Sequence, residues 1–293
     1  MKKSYLTLIS IIFIVLCGIG IYSSSLKTNA QEVESNTSTT ITTELTTTTV
    51  TTSATTTTEP TTEPTTTTVT TTEETTTVTT VTTVTIEDKV AKALAEYTPV
   101  LTTDDVKLLK KQNPDTVGLL YIKNGKINTC FMQSDDNDFY LHRNFNKEEY
   151  FPGSIFEDFR SNIDGKDETD VVLLYGHHMA DESMFTPISW YIYPDYAQQH
   201  KYIEIATDTT THLYQVCGTM LVYGGEGADF DFWNFIDFDN KRSFERFVAN
   251  YIQNRKVDLG TLPDKSNQIL MLQTCYGTDY PGWRTVVVAN RLY

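Results

Sequence analysis

A cysteine, a pair of adjacent histidines and an arginine are the side chains of this chain best suited to covalent chemistry. Met271-Leu272-Gln273-Thr274-Cys275-Tyr276-Gly277 reads as an apolar strand that ends in a thiol and runs into a glycine turn. Such a thiol stands at the edge of a sheet, where a substrate can reach it. A lone cysteine is as readily a buried structural residue, so its reactivity depends on neighbours. An unperturbed thiol has a pKa of about 8.5, and a nearby imidazolium or guanidinium is needed to favour the thiolate.

The chain has 5 histidines. His142 and His200 lie in polar stretches with no catalytic signal beside them, and His212 opens a strand. His177 and His178 follow Val171-Val172-Leu173-Leu174-Tyr175-Gly176, so a buried strand delivers them to its end. In extended backbone the two rings point to opposite faces, and only one can meet the thiol. Composition does not say which. Trp283-Arg284-Thr285-Val286-Val287-Val288 opens the last strand, shortly after Cys275. A guanidinium there could donate hydrogen bonds to the oxyanion of a tetrahedral intermediate, though an arginine at a strand start is also an ordinary surface residue.

These residues need a scaffold. Ile86–Tyr97 reads as a helix, with Val90, Ala91, Leu94 and Ala95 on one side, and a second helix starts near Thr103 and stops before Asn113-Pro114. Beyond it the chain turns to β. Candidate strands are Val117–Ile122, Ile127–Gln133, Asp170–Tyr175, Tyr202–Thr207, His212–Tyr223, Gln268–Cys275 and Arg284–Tyr293. Two helices interrupt them, a short one over Asp181–Trp190 and a longer one from about Lys241 to Lys256. The expected fold is mainly β, a closed or nearly closed barrel with peripheral helices.

The rest of the chain bounds the class of function. The formal net charge of −15 argues against nucleic acid, whose phosphates require a basic face. The 4 cysteines, Cys17, Cys130, Cys217 and Cys275, show no zinc-ligand spacing. The acidic clusters Asp135, Asp136, Asp138 and Asp229, Asp231, Asp237, Asp239 lack the glycine and terminal glutamate of a calcium loop. Neither a metal nor any other cofactor is expected. Residues 1–4 carry Lys2 and Lys3, and 5–22 form an uncharged run just long enough to span a bilayer. The reading is a transmembrane signal anchor with the catalytic domain extracellular, at the cell membrane; a cleaved signal peptide is the alternative. Residues 23–85 lead into a tract that is roughly two-thirds Thr, with too little apolar surface to pack, and read as a disordered stalk. Residues 86–293 form the catalytic domain.

The ordered motifs resemble a known family, the class B sortases. Asn113-Pro114-Asp115-Thr116-Val117-Gly118 is similar to that family's opening strand, and Asp136-Asn137-Asp138-Phe139-Tyr140-Leu141 and Gly153-Ser154-Ile155-Phe156 to its next stretch. Tyr175-Gly176-His177-His178-Met179 with Ser183-Met184-Phe185 resembles the segment of the catalytic histidine, and Thr274-Cys275 and Arg284-Thr285-Val286-Val287 those of the cysteine and arginine. The chain departs from the family at His178, where Asn is usual, and at Gln273, where Ser is frequent. The resemblance implies a sortase barrel and a site of His177, Cys275 and Arg284, with no cofactor. It implies a transpeptidase that cleaves a C-terminal sorting signal of surface proteins through a thioacyl intermediate. The acyl group then passes to an amine of a peptidoglycan cross-bridge or lipid-linked precursor. A hydrolytic cysteine peptidase on the same site and a non-catalytic stalked adhesin are the rival readings; papain-like peptidases place Cys before His, the reverse of the order here.

Overall fold

A computed structural model describes residues 85–277 and 279–293. Two short helices open it. Helix α1 (Ile86–Glu96) is capped by Thr85, whose hydroxyl accepts from the Asp88 amide while the Asp88 carboxylate accepts in return from the Thr85 amide. Helix α2 (Thr103–Gln112) is capped by Thr102 and carries Asp104 and Asp105 in its first turn and Lys110 and Lys111 in its last, each sign at the end its dipole favours. The link between them is fastened to the barrel by Glu204. That buried carboxylate accepts from the Val100 and Leu101 amides and from the Tyr97 hydroxyl at 2.8 Å.

Nine strands follow: β1 (Thr116–Ile122), β2 (Ile127–Met132), β3 (Ile155–Glu157), β4 (Val171–Tyr175), β5 (Tyr202–Thr207), β6 (Thr211–Tyr223), β7 (Arg255–Asp258), β8 (Ile269–Cys275) and β9 (Trp283–Arg291). Their order in the sheet is β5-β1-β2-β3-β4-β8-β9-β6-β7, and β5 also pairs with β6. Eight strands therefore close into a barrel, with β7 added outside β6. Inward residues such as Leu120, Phe131, Leu174, Ile205, Tyr214, Leu272 and Val287 fill the interior. A second cluster lies on the outer face of β4, β8 and β9. It is covered by the aromatics Phe230, Phe232, Phe235 and Phe238 and by helix α5 (Lys241–Asn254), which buries Phe247 and Tyr251 at helical spacing. Fully burying side chains of this size contributes about 1.5–3 kcal/mol each.

The expected strands and the mainly β barrel are present, with differences at the seams. The helix expected over Asp181–Trp190 is shorter. The chain first turns back on itself, with His178 bridged to Met184 and the Phe185 amide bonded to the His177 carbonyl, and with Glu182 and Met184 in left-handed conformation. Helix α3 (Thr186–Ser189) starts only there, with Pro at its first turn, and α4 (Pro194–Gln199) follows. The helix expected to reach Lys256 ends at Asn254, and the chain continues as β7.

The expected single-pass membrane location is corrected. Among the described residues no helix is long and apolar enough to cross a membrane. The longest, α5, has 14 residues and charged side chains, against the roughly 20 apolar residues a span requires. The segment 5–22 on which the anchor rests lies outside the described residues, as do residues 1–4 and the stalk up to residue 84.

Candidate active site

One rim of the barrel collects the predicted residues, and strand direction explains how. β4 and β8 run parallel with Tyr175 opposite Gln273. Two residues further along each chain stand His177 and Cys275. The two segments are tied beyond the ladder: the Gly176 amide donates to the Gln273 carbonyl, and the Thr274 hydroxyl donates to the Gly176 carbonyl at 2.9 Å. Each bond lies next to one of the two candidate residues. β9 returns antiparallel to β8 with Arg284 directly opposite Cys275. In the order His177, Cys275, Arg284, three neighbouring strands thus bring their ends to the same edge.

Cys275 is half-buried, as a thiol open to substrate should be, whereas Cys130 and Cys217 are buried in separate packed clusters. Burial pushes the Cys217 thiol up to about 12, which leaves it inert.

Arg284 is also half-buried. Its Nη1 donates to the Trp283 carbonyl at 3.1 Å, and a Cβ added at Gly224 would come within 2.9 Å of its Cγ. No ion pair among the described residues uses it. In a chain of net charge −15, a half-buried guanidinium without a carboxylate partner is available to a substrate oxygen.

His177 is held on three sides. Its Nε2 lies 3.0 Å from the Leu141 carbonyl oxygen. A carbonyl can only accept, so Nε2 carries the proton and Nδ1 is the nitrogen left for proton exchange. The ring stacks between His142, at 5.7 Å between centroids, and Phe151, at 6.4 Å and nearly parallel. Burial lowers its pKa below the ordinary 6.5; the Leu141 bond works in the opposite direction, and the charge of His142 lowers it further. His178 takes no part in this stack, and its Nδ1 is buried without a hydrogen-bond partner.

A second layer fixes the end of β4. Asp158, whose side chain is fully buried, accepts from the Tyr175 hydroxyl at 2.8 Å, from Arg160 through two nitrogens and from Asn137. Burial alone would raise the Asp158 pKa, but the bonds from Arg160 and Tyr175 and the Arg160 charge together outweigh it and hold the carboxyl below its usual range.

Sequence reasoning found the cysteine, the histidine pair and the arginine. It passed over His142, Phe151 and the Leu141 carbonyl. The only signal for them is the resemblance around Asp136–Leu141; a backbone acceptor leaves no mark on residue type.

Sortase B of Listeria monocytogenes is 30% identical over 185 residues, which span 63% of this chain and 72% of that protein. The chain belongs to the class B sortases. The crystal structure of Clostridium perfringens sortase B is 28% identical, with a TM-score of 0.56 over 63% of this chain and 98% of that one. That of Staphylococcus aureus sortase B is 25% identical, with a TM-score of 0.58 over 70% and 92%. No protein-family model matches the chain. As a class B sortase, the chain is a cysteine transpeptidase on a sortase β-barrel.

Proposed function

We propose that this class B sortase cleaves a sorting signal near the C-terminus of surface proteins and transfers them to an amine of the cell wall, from a peptidoglycan cross-bridge or a lipid-linked precursor. In this reading Cys275 is the nucleophile, His177 the proton carrier and Arg284 the oxyanion donor. The observation that carries it is the rim register, with Arg284 opposite Cys275 and the Thr274 to Gly176 bond tying Cys275 to His177.

The thiolate of Cys275 attacks the scissile carbonyl carbon. The carbonyl oxygen takes up the negative charge, and the Arg284 guanidinium stabilises it. The C–N bond then breaks, and the departing amine takes the proton from His177 Nδ1. The thioester that remains is attacked by the acceptor amine. His177 receives that amine's proton, the C–S bond breaks and the thiolate returns. Proton and electron pairs balance over the cycle with these side chains. Burial depresses the His177 pKa and so disfavours the protonated ring that hands its proton to the leaving amine. A sortase B structure at 25% identity and TM-score 0.58 is complexed with triglycine, which supports an amine acceptor of this kind.

The test is to incubate the protein with a panel of candidate sorting peptides, with and without triglycine, and follow intact mass. An adduct on Cys275 and an amide product with triglycine are expected. Cys275→Ala should form neither, and Arg284→Ala should slow acylation about 100- to 1,000-fold. Product that is only hydrolysed at every triglycine concentration would point to the peptidase reading.

A further inference from the structure

Below the rim, one ion pair reaches both flanks of the proposed site. The sheet order β4-β8-β9 sets Cys275 in the middle, with His177 on one side and Arg284 on the other. Asp158 lies just past β3 and is tied to the His177 flank, since it accepts from the hydroxyl of Tyr175, the last residue of β4. Arg160 forks onto that carboxylate, with Nε to Oδ1 and Nη2 to Oδ2, both at 2.8 Å. A guanidinium carries five donors in one plane, so the fork leaves others to spare. The same Nη2 donates at 2.7 Å to the Trp233 carbonyl, and Nη1 lies 3.5 Å from the side-chain oxygen of Asn234.

Trp233 belongs to the segment that leads from β6 to α5 across the outer face of β4, β8 and β9. That segment is fastened at both ends. At one, the Gly224 amide donates to the Gly282 carbonyl, next to β9. At the other, the Val171 amide donates to the Ile236 carbonyl and the Phe238 amide to the Asp170 carboxylate. Between them, among the described residues, every hydrogen bond that reaches Phe232–Asn234 from outside the segment comes from Arg160. The Trp233 ring meets Phe232 edge-on at 5.0 Å and extends to the stem of Arg284. A Cβ built on Gly224 would stand 3.5 Å from Trp233 Cζ3, 2.9 Å from Arg284 Cγ and 3.7 Å from Arg284 Nε. Ring and stem therefore share the space that a side chain at 224 would fill. With no ion pair among the described residues, Arg284 takes its direction from these neighbours and from its bond to the Trp283 carbonyl.

We infer that Arg160 is a positioning residue for acylation: it fixes Trp233 beside the stem of Arg284 and so keeps that guanidinium opposite Cys275. The inference rests on the proposed roles of Cys275 and Arg284. The contacts run from Tyr175 through Asp158, Arg160 and Trp233 to Arg284, and they span the two strands that flank the thiol. The anchor is firm, because the Asp158 side chain is fully buried. Lysine cannot replace Arg160 here. Its ammonium can neutralise Asp158, but it has no planar fork to hold the carboxylate and the Trp233 carbonyl at once. Once Trp233 shifts, Arg284 loses a wall, and a misplacement of about 1 Å in a reacting group can cost about 100-fold.

The experiment follows single-turnover acylation of Cys275 by intact mass, with the panel peptide that acylates the parent fastest. It compares Arg160→Lys, Arg284→Ala and the double variant. Arg160→Lys should acylate about 10- to 100-fold more slowly than the parent, with donor KM within about threefold. In the Arg284→Ala background the same change should cost less than about threefold, because the group it positions is gone. Losses that multiply in the double variant overturn the inference, and so does Arg160→Lys acylating within about twofold of the parent. Gly224→Ala probes the contact from its other side and leaves the ion pair intact, so it decides the matter if Arg160→Lys fails to fold. Its Cβ should slow acylation about tenfold with Arg284 present and less than about threefold in Arg284→Ala; multiplying losses there also overturn the inference. If Arg284→Ala alone acylates at the parent rate, the oxyanion role of Arg284 is refuted and the positioning role falls with it. A loss in Arg284→Ala that multiplies with the others refutes the positioning role and leaves the reading of the site standing.

Discussion

Replacing Thr274 by Val takes one oxygen out of the barrel and keeps its shape. That oxygen is fully buried, and its hydroxyl donates to the Gly176 carbonyl at 2.9 Å, between the residues that precede Cys275 and His177. Its neighbour supplies a control. Thr285 is paired with Thr274 across β8 and β9 and is equally buried, but its hydroxyl has no hydrogen-bond partner. Losing the Thr274 bond costs about 1 kcal/mol, and leaving the carbonyl without that donor brings the total to about 1–3 kcal/mol. In a domain of this size each kcal/mol lowers Tm by about 2–4 °C, so Thr274→Val should melt about 2–12 °C lower. Thr285→Val removes a hydroxyl that bonds nothing and should melt at or above the parent temperature. The sharper difference is kinetic. A shift of about 1 Å between reacting groups can cost about 100-fold, so Thr274→Val should acylate about 10- to 100-fold more slowly, below its melting range and with donor KM little changed. The assay is stopped-flow acylation at 25 °C beside differential scanning calorimetry of both variants. Acylation by Thr274→Val within twofold of Thr285→Val would refute the claim that this bond sets the spacing of thiol and imidazole.

Three further outcomes follow from the same geometry. Gly176→Ala places a Cβ within 2.5 Å of Ile155 Cδ1 and 2.7 Å of Phe185 Cγ, so urea denaturation should show a loss of about 1–3 kcal/mol and acylation should fall with it. The His177 ring should titrate below 6.5 by NMR; the unfolded chain then binds the proton more readily, so parent stability relative to His177→Gln should decline as pH falls from about 6.5 through the native midpoint. Glu204→Ala removes the acceptor for two amides and the Tyr97 hydroxyl, should cost about 3 kcal/mol, and should release α1 to hydrogen exchange ahead of the barrel.

Strand positions were legible because alternation and β-branched runs are local. Tyr202–Thr207 is read at its observed bounds, and the other six expected strands lie within two residues at each end. What stayed hidden is non-local or too short to carry a period. β3 has 3 residues, and β7, Arg-Lys-Val-Asp, offers a single apolar side chain. That β4 lies parallel beside β8 is a fact about sheet closure that no window of sequence contains. The same holds at the site. Residue type singles out Cys275, Arg284 and a histidine pair; the family resemblance points to His177 within that pair, and the Leu141 bond and the stacking with His142 and Phe151 set it apart from His178 in the structure. The helix expected over Asp181–Trp190 begins only at Thr186, because the first half of that segment is spent on the turn that brings Met184 back against His178.

The bond between Thr274 and Gly176 joins positions 98 residues apart. Until β8 docks beside β4, nothing in the chain holds positions 275 and 177 near each other, so the rim on which the proposed site depends is assembled only when the barrel closes.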